Sequence, residues 1–152
     1  MRLFEIIKVL KDKSLKNFLV VPCDRLPKKK IEKLPVALIV NLSPSDHVGS
    51  HWIAITIDEK REGVYFCSFG LPSSVDHINQ FLKNQCISVI QNSKQLQQMH
   101  SGYCGEYALA YVFAFLKNNT SMNHFLQNFC LNTTLNDMLI QKIFKRIHSF
   151  RN

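Results

Sequence analysis

Apolar residues recur at Leu3, Ile6, Ile7, Leu10 and Leu15, a spacing that predicts a helix over 2–16 with Asn17 as its stop. The period then changes. Residues 18–21 form a short apolar run halted by Pro22, which reads as a strand or an extended entry, and 23–27 reads as a loop. Val36–Asn41 (VALIVN) is β-rich and lies between Pro35 and the turn signal Ser43-Pro44-Ser45-Asp46. Residues 51–57 (HWIAITI) and 64–69 (VYFCSF) are the next strands, joined by a polar hairpin over 58–63. Strands spaced in this way predict an antiparallel meander.

A helix follows over 76–83 with Ser74 as its N-cap, then a fourth strand over 86–90 and a polar loop over 91–103. Residues 104–117 (CGEYALAYVFAFLK) are apolar on nearly every face, which predicts a buried helix that Asn118-Asn119 ends. Two further amphipathic helices read over 121–129 and 136–150. Phe125, Phe129, Leu135, Leu139, Ile143 and Ile147 fall at helical spacing and are expected to cover the back of the buried helix. The order predicts one α+β domain over 1–152 without internal repeats.

Composition adds little to this picture. With 46% hydrophobic and 20% charged residues, 152 residues suffice for one core without disulfides or metals. Charge adds more. Lys and Arg number 19 against 11 Asp and Glu, a net +8 that draws polyanions and acidic partners. Lys28-Lys29-Lys30 reads as a solvated run. Glu5 and Lys8 interrupt the first apolar run, so no signal peptide is read, and no apolar stretch spans a bilayer. The five cysteines are odd in number, widely spaced and without a CxxC pair. That argues against a zinc site and predicts free thiols in a reducing, intracellular compartment. Nothing in the pattern signals an oligomeric state.

Candidate chemistry centres on Cys104, where the polar loop turns into the buried helix. The positive end of a helix and its free N–H groups favour the thiolate. A core cysteine at a helix start fits the local pattern equally well. His51 opens a strand after Gly49-Ser50 and precedes Trp52, where an imidazole can face a cleft. Thiol catalysis needs such a base within hydrogen-bond reach. Gln97 and Gln98 lie just upstream of Cys104, where a side-chain amide can donate to an oxyanion.

Three stretches carry a family likeness: PVALIVNLSPSDHVGSHWIAI, VYFCSFGLP and KQLQQMHSGYCGEYALAYV, in that order. They resemble the adenovirus-type (adenain-like) cysteine proteases, closest to those of Polinton/Maverick elements and related DNA viruses. That group shares a clan with the SUMO-specific proteases. The likeness runs over about 23–116. It implies a central buried helix carrying the nucleophile at its N-terminus, packed on a small mixed sheet. It implies His51 as general base, Cys104 as nucleophile, Gln97 as oxyanion donor with Gln98 as the fallback, and Trp52 as a wall of the substrate cleft. The implied activity is a thiol endopeptidase cleaving precursors of viral or mobile-element structural proteins beside small residues, or a variant that removes a ubiquitin-like modifier. No cofactor is required; DNA and a short peptide are the activators the resemblance implies. The host cytoplasm, the nucleus and the virion are the implied compartments.

The chain departs from the family at one place. Where the third strand carries an acid, in a pattern like YFDSFG, this chain reads Tyr65-Phe66-Cys67-Ser68-Phe69-Gly70, so Cys67 replaces the acid. Three readings follow. Ser68, a backbone carbonyl or water holds the imidazole of a working dyad. Alternatively, Asp46, Asp58 or Asp76 reaches in. In the third reading the domain is a weakened or inactive protease fold that binds protein or nucleic acid. Acyl transfer also occurs in the clan, but nothing here marks a site for an acyl carrier.

Overall fold

The computed structural model describes residues 3–12 and 15–149. Its centre is a five-stranded mixed sheet in chain order: β1 (Phe18–Pro22), β2 (Val36–Asn41), β3 (Trp52–Ile57), β4 (Glu62–Phe66) and β5 (Ser88–Gln91). The expected β2–β3–β4 meander is antiparallel, and β1 and β5 add parallel at its two edges. The central strands read as continuous apolar runs because both faces of the sheet are covered. Ala37, Ile39 and Ala54 face α3 (Cys104–Asn118), with α1 (Leu3–Asp12) and α5 (Thr133–Ser149) packed around it. Leu38, Val40, Ile53 and Ile55 face the other way, onto Ile78, Phe81 and Leu82 of α2 (Asp76–Gln85). A short helix, α4 (Met122–Leu126), brings Phe125 against Phe66 and Tyr111. All four residues of the edge strand β5 are exposed.

Sequence and structure differ at element ends, each for a local reason. The first helix ends at Asp12, with Leu15 and Lys16 outside it; positions 2 and 13–14 lie outside the described residues. Residues 23–25 form a 3-10 turn within the expected loop. The hairpin after β3 is tighter than expected. Asp58 Oδ1 accepts the N–H groups of Lys60 and Glu62, and Arg61 takes φ 62°. β4 therefore starts at Glu62 and stops at Phe66, leaving Cys67–Phe69 beyond the strand. β5 starts two residues later than read. Val75, not Ser74, precedes α2, and it gives no side-chain cap. α4 is shorter than read, with Ser121 Oγ capping its start through the His124 N–H. α5 begins three residues early because Asn132 Oδ1 accepts the Leu135 N–H; the expected end at 150 lies outside the described residues. α3 matches its expected span, and Asn119 ends it in the left-handed conformation with φ 52°.

Candidate active site

Cys104 is the first residue of α3. Its sulfur accepts the backbone N–H of Trp52, the residue that opens β3, and that of Gly105. His51 immediately precedes Trp52, so the ladder end fixes both: Leu42 N–H donates to the His51 carbonyl at 2.9 Å. A cleft of about 610 Å³ opens between this strand end, the 43–50 loop and the start of α3, lined by Asn41, Ser45, Ser50, Trp52 and Cys104 among others. Trp52 thus walls the cleft that holds the thiol. No hydrogen bond joins His51 to Cys104 among the described residues; the two are linked through Trp52.

The imidazole of His51 is instead defined by its other contacts. Its Nε2 lies 3.3 Å from Cys67 Sγ, and its ring stacks on Phe69 with centroids 4.8 Å apart. Cys67 is thus the side chain that meets the imidazole. Burial pushes His51 down to about 4, and no carboxylate opposes the shift. Asp46, Asp58 and Asp76 do not reach it. Asp46 pairs with His47, Asp58 closes the β3–β4 turn, and Asp76 opens α2. Ser68 does not hold the imidazole either, because its hydroxyl donates to Gln97 Oε1 at 2.6 Å.

The Cys104 thiol is pushed up by burial, and Glu106 adds to the rise. The backbone N–H groups of Trp52 and Gly105 pull the other way without reversing it. The N–H groups at the helix start do favour the thiolate, as expected, but desolvation outweighs them. A neutral thiol and a neutral imidazole are the resting forms near pH 7.

Gln97 is fully buried, and its amide Nε2–H donates to the Ser101 carbonyl at 2.7 Å. The Leu96 and Gln97 N–H groups both donate to the Ser68 carbonyl. This stitching ties the loop before α3 to the chain after β4. Gln98, by contrast, is exposed. Two features escaped the sequence reading. Asn92 is buried and clamps Cys67 by its backbone: Oδ1 accepts the Cys67 N–H at 3.0 Å, and Nδ2 donates to the Cys67 carbonyl at 2.6 Å. It sits in a loop that is polar throughout, so only the parallel β4–β5 pairing singles it out. Asn41, at the end of β2, turns out to line the cleft. Among the described residues no group of three His, Cys, Asp or Glu side chains is placed to hold a metal. No described helix is long and apolar enough to cross a membrane.

No family model and no curated protein matches the chain. Solved structures do. ChlaDub1 from Chlamydia trachomatis aligns at 15% identity and TM-score 0.54, over 75% of this chain and 60% of its own. The Chlamydia trachomatis effector protein Cdu1, bound to ubiquitin, aligns at 14% and TM-score 0.54 over 96% of this chain and 78% of its own. The ASFV pS273R protease aligns at 25% and TM-score 0.49 over 97% of this chain and 53% of its own. The chain thus spans 60% and 53% of the lengths of ChlaDub1 and pS273R. At the identities of the two Chlamydia proteins the likeness shows a shared fold.

Proposed function

We propose that this chain is a thiol endopeptidase of adenovirus type, acting as one unit over 1–152 on a polypeptide substrate. Cys104 attacks the scissile carbonyl and His51 takes the thiol proton, then returns it to the leaving amine. The Cys104 N–H and the second Nε2–H of Gln97 hold the oxyanion, and water releases the acyl-enzyme. The observation that carries this reading is the Trp52 hinge. One residue gives its N–H to the Cys104 sulfur, walls the cleft and directly follows the histidine. Precursors of viral or mobile-element structural proteins are the proposed substrates, with a ubiquitin-like tail as the variant, in the cytoplasm, the nucleus or a virion. The net +8 supports a DNA activator bound through phosphates, whose affinity falls as salt rises.

One observation favours a second reading, a binding module with a muted site: Cys67 faces His51 where a carboxylate would stabilise the imidazolium. Labelling of reduced protein with peptidyl chloromethyl ketones and with a ubiquitin bearing a C-terminal electrophile separates the two. Selective modification of Cys104, lost in His51→Ala, supports the peptidase. Equal, slow labelling of Cys104 and of exposed Cys130, unchanged in His51→Ala, overturns it in favour of the module.

A further inference from the structure

We propose that Asn41 is a substrate-binding residue whose side-chain N–H groups donate to a backbone carbonyl of the polypeptide in the cleft. The contact rests on the peptidase reading above and names how that site recognises its substrate.

Asn41 is only 5% exposed, yet it lines the cleft beside Trp52 and Cys104. Its Oδ1 accepts two backbone N–H groups, from Ser43 at 2.9 Å and from Ser50 at 3.3 Å. These donors settle which end of the amide is oxygen, since an NH2 group facing two N–H groups would be repelled. The Nδ2 end is thereby turned away from both, and it makes no hydrogen bond among the described residues. Unlike the rest of the side chain, this donor stays open to the cleft, where water or a substrate carbonyl can accept it.

The register places this donor where a substrate passes. Asn41 pairs with Trp52 across β2 and β3, next to the Leu42–His51 hydrogen-bonded pair. It is therefore at a non-hydrogen-bonded position, where facing side chains stand closest and on the same side of the sheet. That side is the one α3 covers, with Cys104 at its near end. Gly49 presses on the amide: a Cβ there would come within 2.8 Å of Asn41 Nδ2. The residue at 49 therefore has to be small to leave the amide where it is. No Asp, Glu, Lys or Arg lines the cleft among the described residues. Such a lining reads the peptide backbone and takes an uncharged, extended segment.

Asn41→Asp tests this directly, because it keeps the Oδ1 acceptor that closes the 43–50 loop and replaces the donor by a charged acceptor, whose field the iodoacetamide control reads. Rates of Cys104 modification are measured with iodoacetamide, which has no peptide, and with acetyl-tetrapeptide chloromethyl ketones of neutral sequence. The expected result is about a tenfold loss with the peptidyl probes, with the iodoacetamide rate and melting temperature unchanged within about twofold and about 2 °C. Unchanged peptidyl rates overturn the proposal. So does an equal loss with both reagents, which reports repulsion of the thiolate by the new charge. If wild-type Cys104 shows no selective labelling, the peptidase reading has failed separately. Binding of the same tetrapeptides as fluorescent amides then decides: weaker binding in Asn41→Asp supports the contact, and equal binding overturns it.

Discussion

Restoring a carboxylate by Cys67→Asp is the most informative single change. In the wild-type protein His51 Nε2 meets a thiol at 3.3 Å, and burial holds the imidazole at about 4. A carboxylate at that place turns the contact into a charge-assisted hydrogen bond, worth about 2 kcal/mol after its own desolvation. At about 1.4 kcal/mol per unit, this lifts His51 by about 1.5 units. The fraction of thiolate–imidazolium pair near pH 7 would rise by about thirtyfold, since it scales with the difference between the two acidities. The new charge also repels the thiolate, so the net gain is about tenfold. The assay is the second-order rate of Cys104 alkylation by iodoacetamide from pH 5.5 to 9, with mass-spectrometric mapping. The variant should label about ten times faster at pH 6.5, and His51→Ala in the same background should remove the gain. Cys67→Asn, which orients the ring without a charge, should give little increase. A Cys67→Asp protein that is folded but no faster than wild type would refute the reasoning.

Three further outcomes follow from the same geometry. His51 binds a proton less readily in the folded state than in the unfolded chain, so stability is intact above about pH 6.5 and falls as pH drops towards 4. Thermal melts should show a loss of about 3 kcal/mol over that window, absent in His51→Gln; a pH profile identical in the two proteins would contradict it. Asn92→Leu leaves the buried N–H and carbonyl of Cys67 unpaired and should cost about 3 kcal/mol, lowering the melting temperature by about 6–12 °C. A loss under about 2 °C would mean that the clamp is dispensable. Gly70 holds φ 70°, and a Cβ there would meet the Ser93 carbonyl oxygen at 2.6 Å. Gly70→Ala should therefore destabilise by about 1–3 kcal/mol in denaturant titration, and a neutral result would show that the turn can relax.

Much of this arrangement was legible in the chain because it rests on local pattern. The VALIVN and HWIAITI runs mark central strands, and the Ala-rich apolar stretch after Cys104 marks a helix buried on all sides. The two edge pairings were not legible. β1 and β5 are parallel neighbours reached through long connections, and no turn residue announces them. The same limit hid Asn92, whose role arises only when β5 is laid beside β4. The burial that outweighs those N–H groups at Cys104 was hidden for a different reason. A helix start is visible in sequence, whereas the depth to which it is buried is set by parts of the chain far from it, Trp52 among them. Asn41 stood in view, but which of its two amide ends faces the cleft is decided by Ser43 and Ser50 across the loop.

The nucleophile's helix is also the centre of the molecule. α3 packs on β2 and β3, which come from far earlier in the chain, and on α5, which comes after it. The thiol opens to the cleft, but the helix beneath it cannot be released by a loop that opens alone. Its amide neighbours in α3 should be among the slowest to exchange with deuterium, close to the rate set by global unfolding, while the exposed β5 strand exchanges through small openings. Heat inactivation should accordingly be all-or-none. No population should keep the sheet while losing α3.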